Sequence, residues 1–131
     1  MKKTIVVGLC LMTFMMAGVV MAVADTQPGS ESDPVVTKSY VDARTAFTPI
    51  SLKAGQKLIG QEGCEIILRS GEATAIDNGA NGISDLTAGV DLTMGMAAGL
   101  NHQLLVPRTD GRGIAAKTDI WVMVKGMYQI Q

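Results

Sequence analysis

The densest set of side chains able to do chemistry is the run Pro107-Arg108-Thr109-Asp110-Gly111-Arg112-Gly113. Asp110-Gly111 suits the centre of a type I′ hairpin turn, which needs positive φ at both central positions. An arginine on either side puts two guanidinium groups at one turn, enough to grip a carboxylate, a sulfate or a sugar acid through paired hydrogen bonds. The same arginines could instead pair with Asp110, Asp119 or Glu65. His102 is the only histidine and stands shortly before this turn. Together His102, Arg108, Asp110 and Arg112 form the candidate ligand-binding set. A histidine acting as general base needs a nucleophile and an orienting acid, and no Gly-x-Ser-x-Gly or Cys–His signature marks one. No catalytic residue is therefore named, a small hydrolase centred on His102 ranks last, and a structural histidine is the simpler reading.

Metal chemistry has one weak alternative. With Asp77 at position one of a calcium loop, Asn81 falls at five, Gly82 at the obligatory sixth and Asp85 at nine. Position three is Gly79 and position twelve is Ala88, so two main ligands are missing and a plain glycine-rich loop is favoured. One histidine cannot build the usual transition-metal site, and no metal or cofactor is expected. Cys64 opens the apolar run 64–68 and reads as a small buried residue, with a reactive thiol or an intermolecular disulfide as the sharper options. Trp121 offers a stacking face for a sugar, although a tryptophan there more often belongs to the core.

The elements that must carry these residues are short. From Ile50 onward, apolar runs are separated by turn pairs such as Ala54-Gly55, Ser70-Gly71, Asn78-Gly79 and Asp110-Gly111. Strands are expected over 50–53, 57–59, 65–69, 73–76, 103–106, 113–117, 120–124 and 127–130, the last two as a hairpin. The class is mainly β: a small barrel or sandwich of short strands preceded by one short α-helix. Few aromatics remain to fill the core, so Val, Ile, Leu and Met must do so. Leu52-Lys-Ala-Gly55-Gln-Lys-Leu58 and Leu86-Thr-Ala-Gly89-Val-Asp-Leu92 share one pattern 34 residues apart and suggest two equivalent corners.

The helix is expected over 34–47, with Asp33 as its cap, Pro34 at its first position and Thr48-Pro49 as its stop. Val36, Tyr40, Ala43 and Phe47 lie at spacings of four, three and four, one helical face. That stripe either packs on its own domain or serves as an oligomer seam, since fewer than two heptads cannot hold an oligomer alone.

Before it come two segments without a place in the β domain of 48–131. Lys2 and Lys3, a long apolar run and the small-x-small triplet Ala22-Val23-Ala24 make 1–24 a signal peptide cleaved after Ala24. The run is also about long enough to span a bilayer, so an uncleaved anchor stays open, and the membrane enters only that way. Residues 25–33 read as a polar, flexible spacer. Cleavage leaves nine basic against twelve acidic residues, a net charge of −3. No basic stripe exists to neutralise phosphates, which argues against nucleic acid.

The stretch 33–42 resembles the short "DPxxTKxYVD" segments that lead into trimeric stalks of phage tail-fibre proteins, which raises trimerisation as an expectation. More widely, Leu58-Ile-Gly60, the Leu68-Arg69-Ser70-Gly71 run, Asn101-His102, Asp110-Gly-Arg-Gly113 and Trp121-Val-Met-Val124 resemble a group of small exported proteins of Gram-positive bacteria. These carry a signal peptide, a "TKSYVD" segment and a C-terminal β domain, and the resemblance supplies no activity. The expectation is a non-catalytic exported module, extracellular or at the cell surface, structural or binding. Its partners would be a second copy of itself or cell-envelope polymers, with an acidic-glycan site at the 108–112 turn as the alternative.

Overall fold

The computed structural model describes Ser30 and residues 34–131. The chain divides into two compact units, Met1–Val36 and Thr37–Gln131, and the architecture below is that of the second. The expected signal segment 1–24, the expected cap Asp33 and all of the spacer except Ser30 lie outside the described residues. No helix among the described residues is long and apolar enough to cross a membrane.

Helix α1 covers Lys38–Thr45, shorter than the expected 34–47. Three β-branched residues, Val35, Val36 and Thr37, resist helical φ/ψ through their stiff side chains. Thr37 is extended and its hydroxyl accepts the Tyr40 N–H, so it takes the capping role expected of Asp33. Pro34 is thus not a first helical residue, and Val36 and Phe47 fall outside the helix. No residue of α1 is buried, so the stripe does not pack into the core of its own domain. Pro49 does not merely end the helix; it sits inside strand β1.

Ten strands follow: β1 Thr48–Leu52, β2 Lys57–Gly60, β3 Cys64–Ser70, β4 Ala73–Ile76, β5 Ile83–Asp85, β6 Val90–Leu92, β7 Gln103–Val106, β8 Gly113–Ala116, β9 Ile120–Lys125 and β10 Tyr128–Ile130. They form two antiparallel sheets in a sandwich-like β fold, not a closed barrel. One sheet runs β1-β9-β3-β7-β5-β6 and the other β10-β2-β8-β4. The chain changes sheet at almost every connection; only β5, β6 and β7 follow one another in the same sheet. The expected last hairpin is therefore absent. β9 pairs with β1 and β3, whereas β10 crosses at Gly126 to pair with β2. The β7–β8 connection carrying Asp110-Gly111 likewise passes between sheets, so it is not a hairpin turn.

Alternation along each strand sends one row of side chains between the sheets. Leu52, Leu58, Cys64, Ile66, Leu68, Ile83, Leu104, Val106, Ile114, Ile120, Val122 and Val124 are all essentially fully buried. Ala73, Ala75 and Ala116 supply the small partners on β4 and β8. Methionine plays no part in this core: Met94, Met96 and Met127 are exposed and Met123 lies on the outer row of β9. Trp121 is on that same outer row and 54% exposed, not a core residue, because the inward positions of β9 belong to Ile120, Val122 and Val124.

The two matching seven-residue segments do different work. The first carries the chain from β1 in one sheet to β2 in the other, with Leu52 and Leu58 both buried. The second is the β5–β6 hairpin, closed by the Gly89 N–H to Asp85 C=O bond, and its Leu86 is exposed. Common to both are the positive φ at Gly55 and Gly89 and the burial of the returning leucines, Leu58 and Leu92.

Candidate functional site

The four candidate ligand residues are split between the two ends of β5 and β7. Arg112 and Asp110 gather at the Gly82 end, while His102 meets Asp85 at the other. Three strand steps from Gly82 to Asp85 span about 10 Å, too far for one small ligand group to bridge both clusters directly.

At the first end, Arg112 is only 4% exposed, although it follows a turn. Its Nε and one Nη hold the two carboxylate oxygens of Asp110 at 2.8 and 2.9 Å, and the other Nη donates to the Gly82 carbonyl at 2.7 Å. Asn78 Nδ2 donates to Asp110 as well, at 2.9 Å. The Arg112 guanidinium, with Asn78 assisting against burial, holds the Asp110 carboxyl below the usual carboxylate range. Arg112 therefore fastens the β7–β8 connection to the 77–82 loop, and its charge is already matched. Arg108 is exposed and has no ion pair among the described residues. Asp119 pairs with Lys53 at 2.7 Å and Glu65 with Lys125 at 2.5 Å, so neither takes an arginine.

At the second end, Asp85 is 3% exposed because it shares the inward row of β5 with Ile83. Its Oδ1 accepts the N–H groups of Thr87 at 3.0 Å and Ala88 at 2.9 Å. Its Oδ2 lies 2.7 Å from His102 Nδ1. Burial pushes the Asp85 carboxyl up, but His102 and the two N–H groups outweigh it and leave the carboxyl below its ordinary value. Asn101, in the left-handed region at φ 63, turns the chain so that His102 enters beside β7. Gly99 leaves room for the ring: a Cβ there would come within 2.7 Å of the imidazole. The orienting acid that sequence reasoning did not find is thus Asp85. No signal of useful length pointed to it, since β5 is a three-residue strand.

The calcium alternative disperses in the same way. Asp77 accepts the Gly79 and Met94 N–H groups, each at 2.9 Å, and those bonds lower its pKa. The Asn81 N–H donates to Asn78 Oδ1 at 2.7 Å, and Asp85 faces His102. Among the described residues no group of three His, Cys, Asp or Glu side chains could hold a metal ion.

Cys64 is fully buried, and burial, with Glu65 adding, pushes its thiol up to about 11. Such a thiol is neither a nucleophile at neutral pH nor within reach of another chain. Of the seam residues, Tyr40 is 52% exposed with Arg44 stacked 4.7 Å from its ring centroid, and Ala43 is exposed. Val36 is exposed, and Phe47 is half-buried with Lys125 Nζ 5.0 Å from its ring centroid. No family model, curated protein or solved structure matches the chain.

Proposed function

We propose that this chain is an exported, non-catalytic module of the cell surface or envelope that self-associates through α1. The observation that carries the reading is the state of that helix. It has eight residues and buries none of them, and it presents Tyr40 and Val41 to solvent. A helix shorter than roughly 12–15 residues is marginal in water unless packing supports it. A second copy offering the same apolar residues is the simplest support, and fits the repeated face of Tyr40 and Ala43. Export follows from the sequence of residues 1–24.

The test is light scattering on the protein recovered after export, with its N-terminus read by mass spectrometry. An N-terminus at Asp25 and a mass of two or more chains, lowered by Tyr40→Glu, supports the reading. A single-chain mass, or an assembly unchanged by Tyr40→Glu, overturns the seam.

A second reading, glycan binding, has one observation in its favour. Trp121 is 54% exposed, and its cross-strand neighbours are the small residues Ser51 on β1 and Ser70 on β3. An indole flanked by hydroxyls suits the apolar face of a sugar ring. Trp121→Ala would then abolish retention on a wall-glycan column while the fold survives, and unchanged retention removes this reading. Arg108 remains the cation for an acidic sugar, and Arg108→Ala tests it in the same assay.

A further inference from the structure

A two-sheet sandwich has four edge strands, each a row of unpaired backbone groups that invites another strand unless something blocks it. Here three are blocked. The outer edge of β4 is occupied by the chain itself: Gly95 and Ala98 donate to Ala75 and Ala73, and Ala75 donates to Met96. β1 contains Pro49, which has no N–H to offer and keeps the β9 ladder whole only if that gap faces solvent. β6, as short as β10, carries the exposed charge of Asp91.

β10 has neither cover, proline nor charge. Lys57 and Gln131 exchange both backbone hydrogen bonds at 2.9 Å, and Gln61 N–H donates to the Met127 carbonyl at 2.9 Å. Bonded pairs alternate along an antiparallel ladder. Gln129 therefore bonds β2, while the N–H and C=O groups of Tyr128 and Ile130 point the other way, off the sheet. The side chains there are Tyr128, packed against the core, and Ile130, 44% exposed.

The geometry points to β10 as a self-pairing edge, joining two copies of this chain into one continuous antiparallel sheet about a two-fold axis at Gln129. The occupant is a second copy because the edge is complementary to itself. Centred on Gln129, Tyr128 faces Ile130 of the other copy, and the four outward groups of one strand meet four of the opposite kind on the other. The aromatic–β-branched pair lies on the core side, a favourable cross-strand combination. The neutral sequence Tyr128-Gln129-Ile130 sets no like charges against each other. This contact is separate from the α1 seam and does not depend on it.

In that register the two Gln129 residues form a non-hydrogen-bonded pair, the class whose side chains approach most closely, with Cα atoms about 4.5 Å apart and so within the range a disulfide spans. The experiment is mild oxidation of the full chain carrying Gln129→Cys in a Cys10→Ser background, with Cys64 buried and unreactive. The expected result is a covalent species of twice the chain mass, absent in Ser51→Cys on β1. Adding Ile130→Pro, which deletes an outward N–H and spares the β2 bonds, should remove that species. Tyr40→Glu should leave it in place. No doubled species in Gln129→Cys, an equal one in Ser51→Cys, or persistence with Ile130→Pro would each overturn the pairing. Loss with Tyr40→Glu would assign the contact to α1 and overturn it too.

Discussion

His102 Nδ1 and Asp85 Oδ2, 2.7 Å apart, close one end of the sandwich: a half-exposed ring is set over a carboxylate that is otherwise cut off from water. The carboxylate is satisfied on its other oxygen by the Thr87 and Ala88 N–H groups, so the pair also fixes the β5–β6 turn. A buried charge is tolerated only when it is hydrogen-bonded on every side, and this one is. Two consequences can be measured.

Asp85→Ala should cost about 2–4 kcal/mol in urea unfolding, because it strands two N–H groups and the His102 donor. His102→Ala should cost less, since water can reach the exposed oxygen it leaves. A near-neutral Asp85→Ala would mean the turn holds without the carboxylate.

The pH dependence has a definite sign. The Asp85, Asp110, Asp77 and Asp119 carboxyls are all lowered in the fold. A lowered carboxyl contributes stability that is present above its unfolded value, about 3.9 for Asp, and is lost as pH falls through the folded value. Thermal melts should therefore be flat for these groups above about pH 5 and fall steeply below about pH 4. Asp85→Asn should flatten part of that fall; an unchanged acid slope would contradict the Asp85 assignment.

Arg112→Ala should destabilise by about 3 kcal/mol, the cost of breaking a buried ion pair. Arg108→Ala, at an exposed position, should stay within about 0.5 kcal/mol. Differential scanning calorimetry on the two variants separates a structural arginine from a free one, and equal effects would sink the distinction.

Gly113→Ala tests the closest approach in the smaller sheet. A Cβ at Gly113 would sit 1.9 Å from the Leu58 carbonyl oxygen, so β8 would have to move off β2. The expected loss exceeds about 3 kcal/mol, beyond ordinary overpacking, because the obstacle is backbone. Soluble expression with a wild-type melting temperature would show that the sheets can shift to accept it.

Cys64 should resist a thiol reagent at pH 8 in the folded protein and react promptly in denaturant. Its burial and its thiol pushed up to about 11 both act against the thiolate. Rapid native-state labelling would place Cys64 at the surface and contradict its position on the inner row of β3.

How much could be read beforehand differs from element to element. The spans 73–76 and 103–106 coincide with β4 and β7, and the other six expected strands are right to within two residues at each end. All of them but β10 run over four or more positions, a signal contained within the strand itself. β5 and β6 have three residues each, too few for a period to show, and so Asp85 went unseen as the partner of His102. The helix start failed for a local reason: Asp33-Pro34 is a good opening in general, but the β-branched run 35–37 after it prefers extended backbone.

The sequence by itself determined the class of fold, most of the turn positions and the alternation of β9, because side-chain alternation and positive-φ glycines act over a few residues. Tertiary structure decided which strand joins which sheet. It sent β10 away from β9, parted Arg112 from His102, turned Trp121 to solvent and left β10 as the open edge. Each of those outcomes depends on hydrogen bonds and packing between residues far apart in the chain. Their free energy is shared among partners that no single segment contains.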